Sequence, residues 1–115
     1  MKKKNFSKIT KYHFLIDKLI LNIENILDQY NGKNNIDYEI NNGVIKIIFE
    51  NKHQILITRQ ETIQQLWLAN HKIGYHFEYK NKKWKCTKTK KTFNKIFKNL
   101  LYKATKEKYF NKFIF

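Results

Sequence analysis

The stretch Ile36-Asp37-Tyr38-Glu39-Ile40-Asn41-Asn42-Gly43-Val44-Ile45-Lys46-Ile47-Ile48-Phe49-Glu50 decides the fold. Ile36, Tyr38 and Ile40 alternate with Asp37, Glu39 and Asn41, the period of a strand with one buried face and one wet face. Asn42-Gly43 is a strong two-residue hairpin signal, because both central positions of that turn need positive φ. Val44 to Glu50 then reads as the returning strand. Downstream, Asn51-Lys52 reads as a second turn, followed by strands at Gln54–Gln60, Gln65–Ala69 and Gly74–Tyr79. A short sixth strand, Trp84–Cys86, follows the polar turn at Asn81-Lys82.

The period changes from two to about three and a half on either side of this meander. From Ser7 to Tyr30, Ile16, Leu19, Ile20, Ile23, Ile26, Leu27 and Tyr30 recur at three- and four-residue steps, the buried stripe of a helix. Asn31-Gly32 is the stop, with Gly32 suited to a left-handed C′ position. Thr92 is the N-cap of a second helix reaching about Lys106, with Phe93, Ile96, Phe97, Leu100, Leu101 and Ala104 on its apolar face. Helix, antiparallel meander, helix implies an α+β two-layer sandwich, both helices on one face of an antiparallel sheet of about six strands. The 115 residues form a single domain with a core at about 10–106. The segment 107–115, aromatic from Tyr109 to Phe115, is expected to fold back onto the helices.

Composition narrows the function. One cysteine, Cys86, excludes an internal disulfide and any CxxC site, and reads as a packed thiol. Behind the basic start Met1-Lys2-Lys3-Lys4 there is no apolar stretch of signal-peptide length. The apolar runs Phe14-Leu15-Ile16 and Leu19-Ile20-Leu21 are broken by Asp17 and Lys18, so no membrane span is expected and the cytoplasm is the default. The four histidines show no HExxH or HxH spacing, and no glycine-rich phosphate loop or nucleophile elbow is present, so an enzyme is not expected. The net charge of +15 suggests a nucleic-acid-binding module as the alternative function. Against it, 23 of the 24 basic residues are lysine, scattered from end to end, whereas bidentate readout of guanine and phosphate favours arginine. Abundant Lys, Asn, Ile, Phe and Tyr read as the product of an AT-rich coding sequence.

With only nine acids, their positions matter. Asp17, Glu24 and Asp28 share one solvent-facing helix stripe, and Asp37 and Glu39 share one face of the first strand. Should the helix end lie beside that strand, Glu24, Asp28, Asp37 and Glu39 gather near one edge, oxygen ligands suited to a weakly held divalent cation such as ferrous iron. Asp28 sits in the last helical turn, where its charge opposes the helix dipole. Trp67 lies between Leu66 and Leu68, so if the leucines face the core its ring faces solvent. Arg59, Gln60 and Gln65 lie nearby in sequence, and together they read as an anchor for a protein partner.

Two runs give a resemblance. Ile36 to Val44 with Phe49-Glu50-Asn51 resembles the first hairpin of the frataxin family. Thr58-Arg59-Gln60-Glu61-Thr62-Ile63-Gln64-Gln65-Leu66-Trp67-Leu68-Ala69, then Gly74-Tyr75-His76-Phe77, is similar to the family's central signature, Asn-Arg-Gln-x-Pro-x-x-Gln-x-Trp-Leu-Ala and the strand after it. Trp84 and the Thr92-Phe93 helix start also fit, so the resemblance covers about residues 10–106. With the first helix beginning almost at Met1 and no transit peptide before it, the likeness is to the bacterial form. The resemblance implies an iron–sulfur cluster assembly factor, monomeric and without an organic cofactor, that binds iron weakly through Glu24, Asp28, Asp37 and Glu39. It further implies docking to the cysteine desulfurase and to the cluster scaffold protein, the latter through the sheet face around Trp67, with Arg59, Gln60 and Gln65 beside it. The chain departs from the family where Thr58 replaces asparagine and Thr62 replaces proline. It also carries Asn25, Gln29, Asn31, Lys33, Asn34 and Asn35 where the family is dense in carboxylates, which weakens cation affinity.

Overall fold

The computed structural model describes residues 8–115; the expected helix start at Ser7 and the basic Met1–Lys4 lie outside them. Helix α1 (Lys8–Asp28) leads into six strands, β1 (Ile36–Asn41), β2 (Val44–Phe49), β3 (Gln54–Gln60), β4 (Gln65–Ala69), β5 (Gly74–Lys80) and β6 (Lys83–Cys86). Helix α2 (Phe93–Thr105) and a 3-10 turn (Tyr109–Lys112) follow. The strands form one antiparallel sheet in chain order, so β1 and β6 are its edge strands, with β6 also bridged at Lys85 to Thr92. The α+β two-layer arrangement read from the sequence is the one observed.

Alternation sorts the sheet into two faces. Ile45, Ile47, Phe49, Ile55, Ile57, Leu66, Leu68 and Phe77 are buried, and they join Ile16, Leu19, Ile23, Phe93, Phe97 and Leu101 of the helices in one core. Ile20, Tyr30 and Ala104, expected in the buried stripes, are only partly covered at the margin of that core. The C-terminal segment packs as expected. Phe110 is buried and stacks on Tyr30, while Phe115 sets its ring edge-on to Phe97 at 4.8 Å. The Asn22 side chain of α1 donates to the Ile114 carbonyl at 2.9 Å, and Asn94 of α2 accepts from the Phe115 N–H at 2.8 Å.

Thr92 caps α2, its hydroxyl accepting from the Lys95 N–H at 3.2 Å. Gly32 does not perform the role expected of it. Helix α1 ends at Asp28, and Gly32 is not in the left-handed region; it is needed because a Cβ there would run into the Tyr30 ring. Asn42 (φ 50°) and Gly43 (φ 78°) form the expected hairpin turn. Elsewhere lysine, asparagine and glutamine adopt positive φ, as at Lys52, Gln64, Asn81, Lys82, Lys90 and Lys106, because a chain with three glycines has little else to offer. Glu107 ties the α1–β1 loop to the end of α2: its carboxylate accepts from the Tyr30 hydroxyl, from the Lys33 N–H at 2.8 Å and from the Asn34 side chain at 2.9 Å. The Lys33 N–H first, then the Tyr30 hydroxyl, hold that carboxyl below its ordinary pKa.

Candidate functional site

The end of α1 lies against the free edge of the sheet at β1. Tyr38 pairs with the core residue Ile47 and so projects toward the helix, where its hydroxyl donates to the Asp28 carboxylate. That bond gives Asp28 a partner in a helical turn where its charge is otherwise opposed by the dipole. Glu24 stands one turn earlier on the same helix. The Tyr38 hydroxyl is pushed up to about 12, foremost by the bond to Asp28, then by desolvation and by the negative charge of Asp28 and Glu24. Asp37 and Glu39 occupy the alternate positions of β1, opposite Ile48 and Lys46, and project from the other face. The four carboxylates therefore flank one edge strand from its two sides. Among the described residues no three His, Cys, Asp or Glu side chains come together as a metal-binding group. Such an edge can hold a hydrated divalent cation loosely, with one or two carboxylates and the remaining positions filled by water.

This geometry sets a pH dependence. A tyrosine whose folded pKa is raised stabilises the fold below its unfolded pKa, near 10, and loses that contribution as pH rises toward 12. Tyr38→Phe is expected to remove the tyrosinate step near pH 12 from a 295 nm absorbance titration, and with it that part of the alkaline loss of stability.

The second element is the open sheet face. Leu66 and Leu68 are fully buried, so Trp67 between them faces away from the helices, as alternation requires. Its cross-strand neighbour is His76, and the two rings stack at 4.1 Å, 8° from parallel. The indole N–H donates to the Gln65 side chain at 2.8 Å, which fixes the ring's orientation. Gln60 pairs with Gln65 in register and lies on the same face, while Ile48 and Leu56 add partly covered aliphatic surface. His76 was not singled out by the sequence reading. Its signal is register: a four-residue connection pairing Ala69 with Gly74 sets Trp67 opposite His76.

Arg59 does not join this group. It pairs with the buried Leu66, one residue out of phase with Trp67, and so projects toward α1. There its guanidinium donates to Asp17 at 2.5 Å and lies 3.0 Å from Nδ1 of His13. Proximity in sequence suggested proximity to Trp67, but the two-residue period of the strand sends Arg59 to the opposite face. It anchors helix to sheet, and Asp17 is drawn into that anchor and away from the acidic stripe.

Tyr12 is a further positioning residue absent from the sequence reading. Buried beneath the β3–β4 connection, its hydroxyl donates to the Gln65 carbonyl at 2.7 Å and accepts from the Gln60 N–H at 3.1 Å. It thereby locks the two residues that frame Trp67. Tyr12→Phe strands both backbone groups and is expected to cost about 1–3 kcal/mol, read as a lowered urea midpoint with unchanged slope. Cys86 is buried and free. Burial raises its thiol pKa, but hydrogen bonds from Thr89 and the backbone and the Lys88 charge outweigh this and set it below the ordinary value. The lysines are absent from β1, β3 and β4 and are densest over residues 80–91 around the edge strand β6, where their charge discourages edge-to-edge pairing. No helix among the described residues is long and apolar enough to cross a membrane.

Comparison with known proteins agrees with this architecture. The family model described as "Frataxin-like domain" matches residues 5–107. A protein of Buchnera aphidicola subsp. Baizongia pistaciae named iron-sulfur cluster assembly protein CyaY is 43% identical over 109 residues, which is 92% of each chain. The protein of that name from Buchnera aphidicola subsp. Acyrthosiphon pisum is 45% identical over 101 residues, 86% of this chain and 87% of the relative. Among solved structures, a CyaY-family frataxin from Psychromonas ingrahamii superposes with a TM-score of 0.79 at 28% identity, over 88% of this chain and 94% of that one. A trimeric yeast frataxin complexed with ferrous shares the fold, with a TM-score of 0.63 at 20% identity, over 92% of both chains. With its order of helices and strands, its signature run from Arg59 to Ala69 and these likenesses, the chain belongs to the frataxin family.

Proposed function

We propose that the chain is an iron–sulfur cluster assembly factor that works by contact rather than by turnover. The observation that carries this reading is the open sheet face, where Trp67 is held by Gln65 and stacked on His76 amid polar and aliphatic neighbours. An ordered, partly exposed indole on a rigid sheet is the kind of anchor that dominates a protein interface, and the relatives at 43% and 45% identity bear the cluster-assembly name. The partners in this reading are the cysteine desulfurase and the scaffold protein, with Trp67, Gln60 and Gln65 on the docking face. Arg59 acts behind that face by fixing the sheet to α1. Ferrous iron is cargo, taken weakly at the β1 edge by Glu24 and Asp28 from one side and Asp37 and Glu39 from the other. Exposed carboxylates of this kind hold divalent cations at roughly 10⁻⁶ to 10⁻³ M. Cys86 is buried, His13 contacts Arg59 and His76 stacks on Trp67. The protein is read as monomeric and cytoplasmic.

The test is cluster formation on the scaffold, followed by absorbance, with desulfurase, cysteine and ferrous iron present. Adding this chain is expected to change the initial rate, and Trp67→Ala to abolish the change. A rate indifferent to the chain at several-fold excess over desulfurase would overturn the reading.

A further inference from the structure

His53 and His71 come from different connections, β2–β3 and β4–β5, yet their rings lie side by side. The centroids are 4.4 Å apart and the planes are inclined by 30°. The cause is register: pairing Leu56 with Ala69 carries the start of β3 and the end of β4 to the same end of the sheet. Each connection is braced by its own asparagine. Asn51 accepts from the His53 N–H at 3.0 Å, and Asn70 accepts from the N–H groups of Lys72 and Ile73, both at 2.9 Å. The backbones are thus held while both histidines are exposed to solvent. The chain's other two histidines are engaged elsewhere, His13 with Arg59 and His76 with Trp67.

We propose that His53 and His71 form a two-imidazole site for a late first-row divalent cation, of which zinc and copper(II) are the best fits. Metal–nitrogen bonds of about 2.0–2.1 Å require the two ligating nitrogens to stand about 3–4 Å apart. Rings with centroids 4.4 Å apart reach that span by rotation about their Cβ–Cγ bonds. Water fills the remaining positions. Imidazole is a borderline donor that favours these ions, whereas the all-oxygen β1 edge suits harder ones, so the two places select by ligand chemistry. Lys52 and Lys72 flank the histidines in sequence, and their charge keeps the affinity modest.

The experiment is a zinc titration of the untagged full chain and of the His53→Gln and His71→Gln variants, followed by calorimetry and by imidazole resonances in NMR. The expected result is one zinc per chain, His53 and His71 resonances moving together, and a loss of affinity of at least about tenfold in either variant. Manganese in excess is expected to leave the zinc isotherm unchanged. Zinc affinity retained in either variant would overturn the proposal, as would zinc-dependent shifts confined to His13, His76 or the β1 carboxylates.

Discussion

Phe97→Ala is expected to lose about 3–5 kcal/mol of stability, the range for truncating a large aromatic in a packed core. Phe97 is completely buried on the inner face of α2, tilted against Phe93 at 5.1 Å and edge-on to Phe115 at 4.8 Å. It therefore joins three things at once: the helix, the core over the sheet and the returning C-terminal segment. A small domain has about 5–15 kcal/mol in total, so this one change takes away a large fraction of it. Urea denaturation by far-UV circular dichroism is the direct measurement, with a large fall in midpoint at constant slope. Phe97→Leu, which keeps most of the volume, is expected to lose much less.

Trp67→Ala is expected to reverse that pattern, with small effects on the fold and large ones on partner binding. Its ring lies on the face away from the core, so stability is held by Leu66 and Leu68 on either side. At an interface a central tryptophan costs at least about 2 kcal/mol when truncated, roughly thirtyfold in Kd. Gln65→Ala releases the indole N–H and is expected to weaken the same binding more mildly, through loss of orientation rather than of contact area. A calorimetric titration of each variant into the scaffold–desulfurase pair, beside its urea curve, separates the two effects.

The sheet was legible because its information is local. Two-residue alternation from Ile36 to Phe49 and the Asn42-Gly43 turn specify the first hairpin, and every later strand repeats the code. The helices were equally plain from periodicity and the Thr92 cap. Gly32 differs from the helix stop its position suggests because its constraint is a tertiary one, the Tyr30 ring lying where a Cβ would stand. Arg59 is near Trp67 in sequence but one residue out of strand phase with it, so the pleat turns it toward α1. Tyr12, the stacking of His76 on Trp67 and the His53–His71 pair are hidden from the sequence for one shared reason. Each owes its place to register between strands or to helix–sheet docking, which no spacing along the chain reveals. The acidic edge was half legible: the sequence gathered four carboxylates, and the pleat divides them between the two faces of β1.

The most direct measurement is binding of the purified, untagged chain to the cysteine desulfurase and scaffold of its own source organism, near about 0.15 M salt, where long-range attraction between exposed charges is largely screened. Saturable binding that Trp67→Ala weakens roughly thirtyfold, with the variant's fold intact, is the expected result. No binding at micromolar concentrations, or binding that Trp67→Ala leaves untouched, would contradict the assignment of the open sheet face as the working surface of this protein.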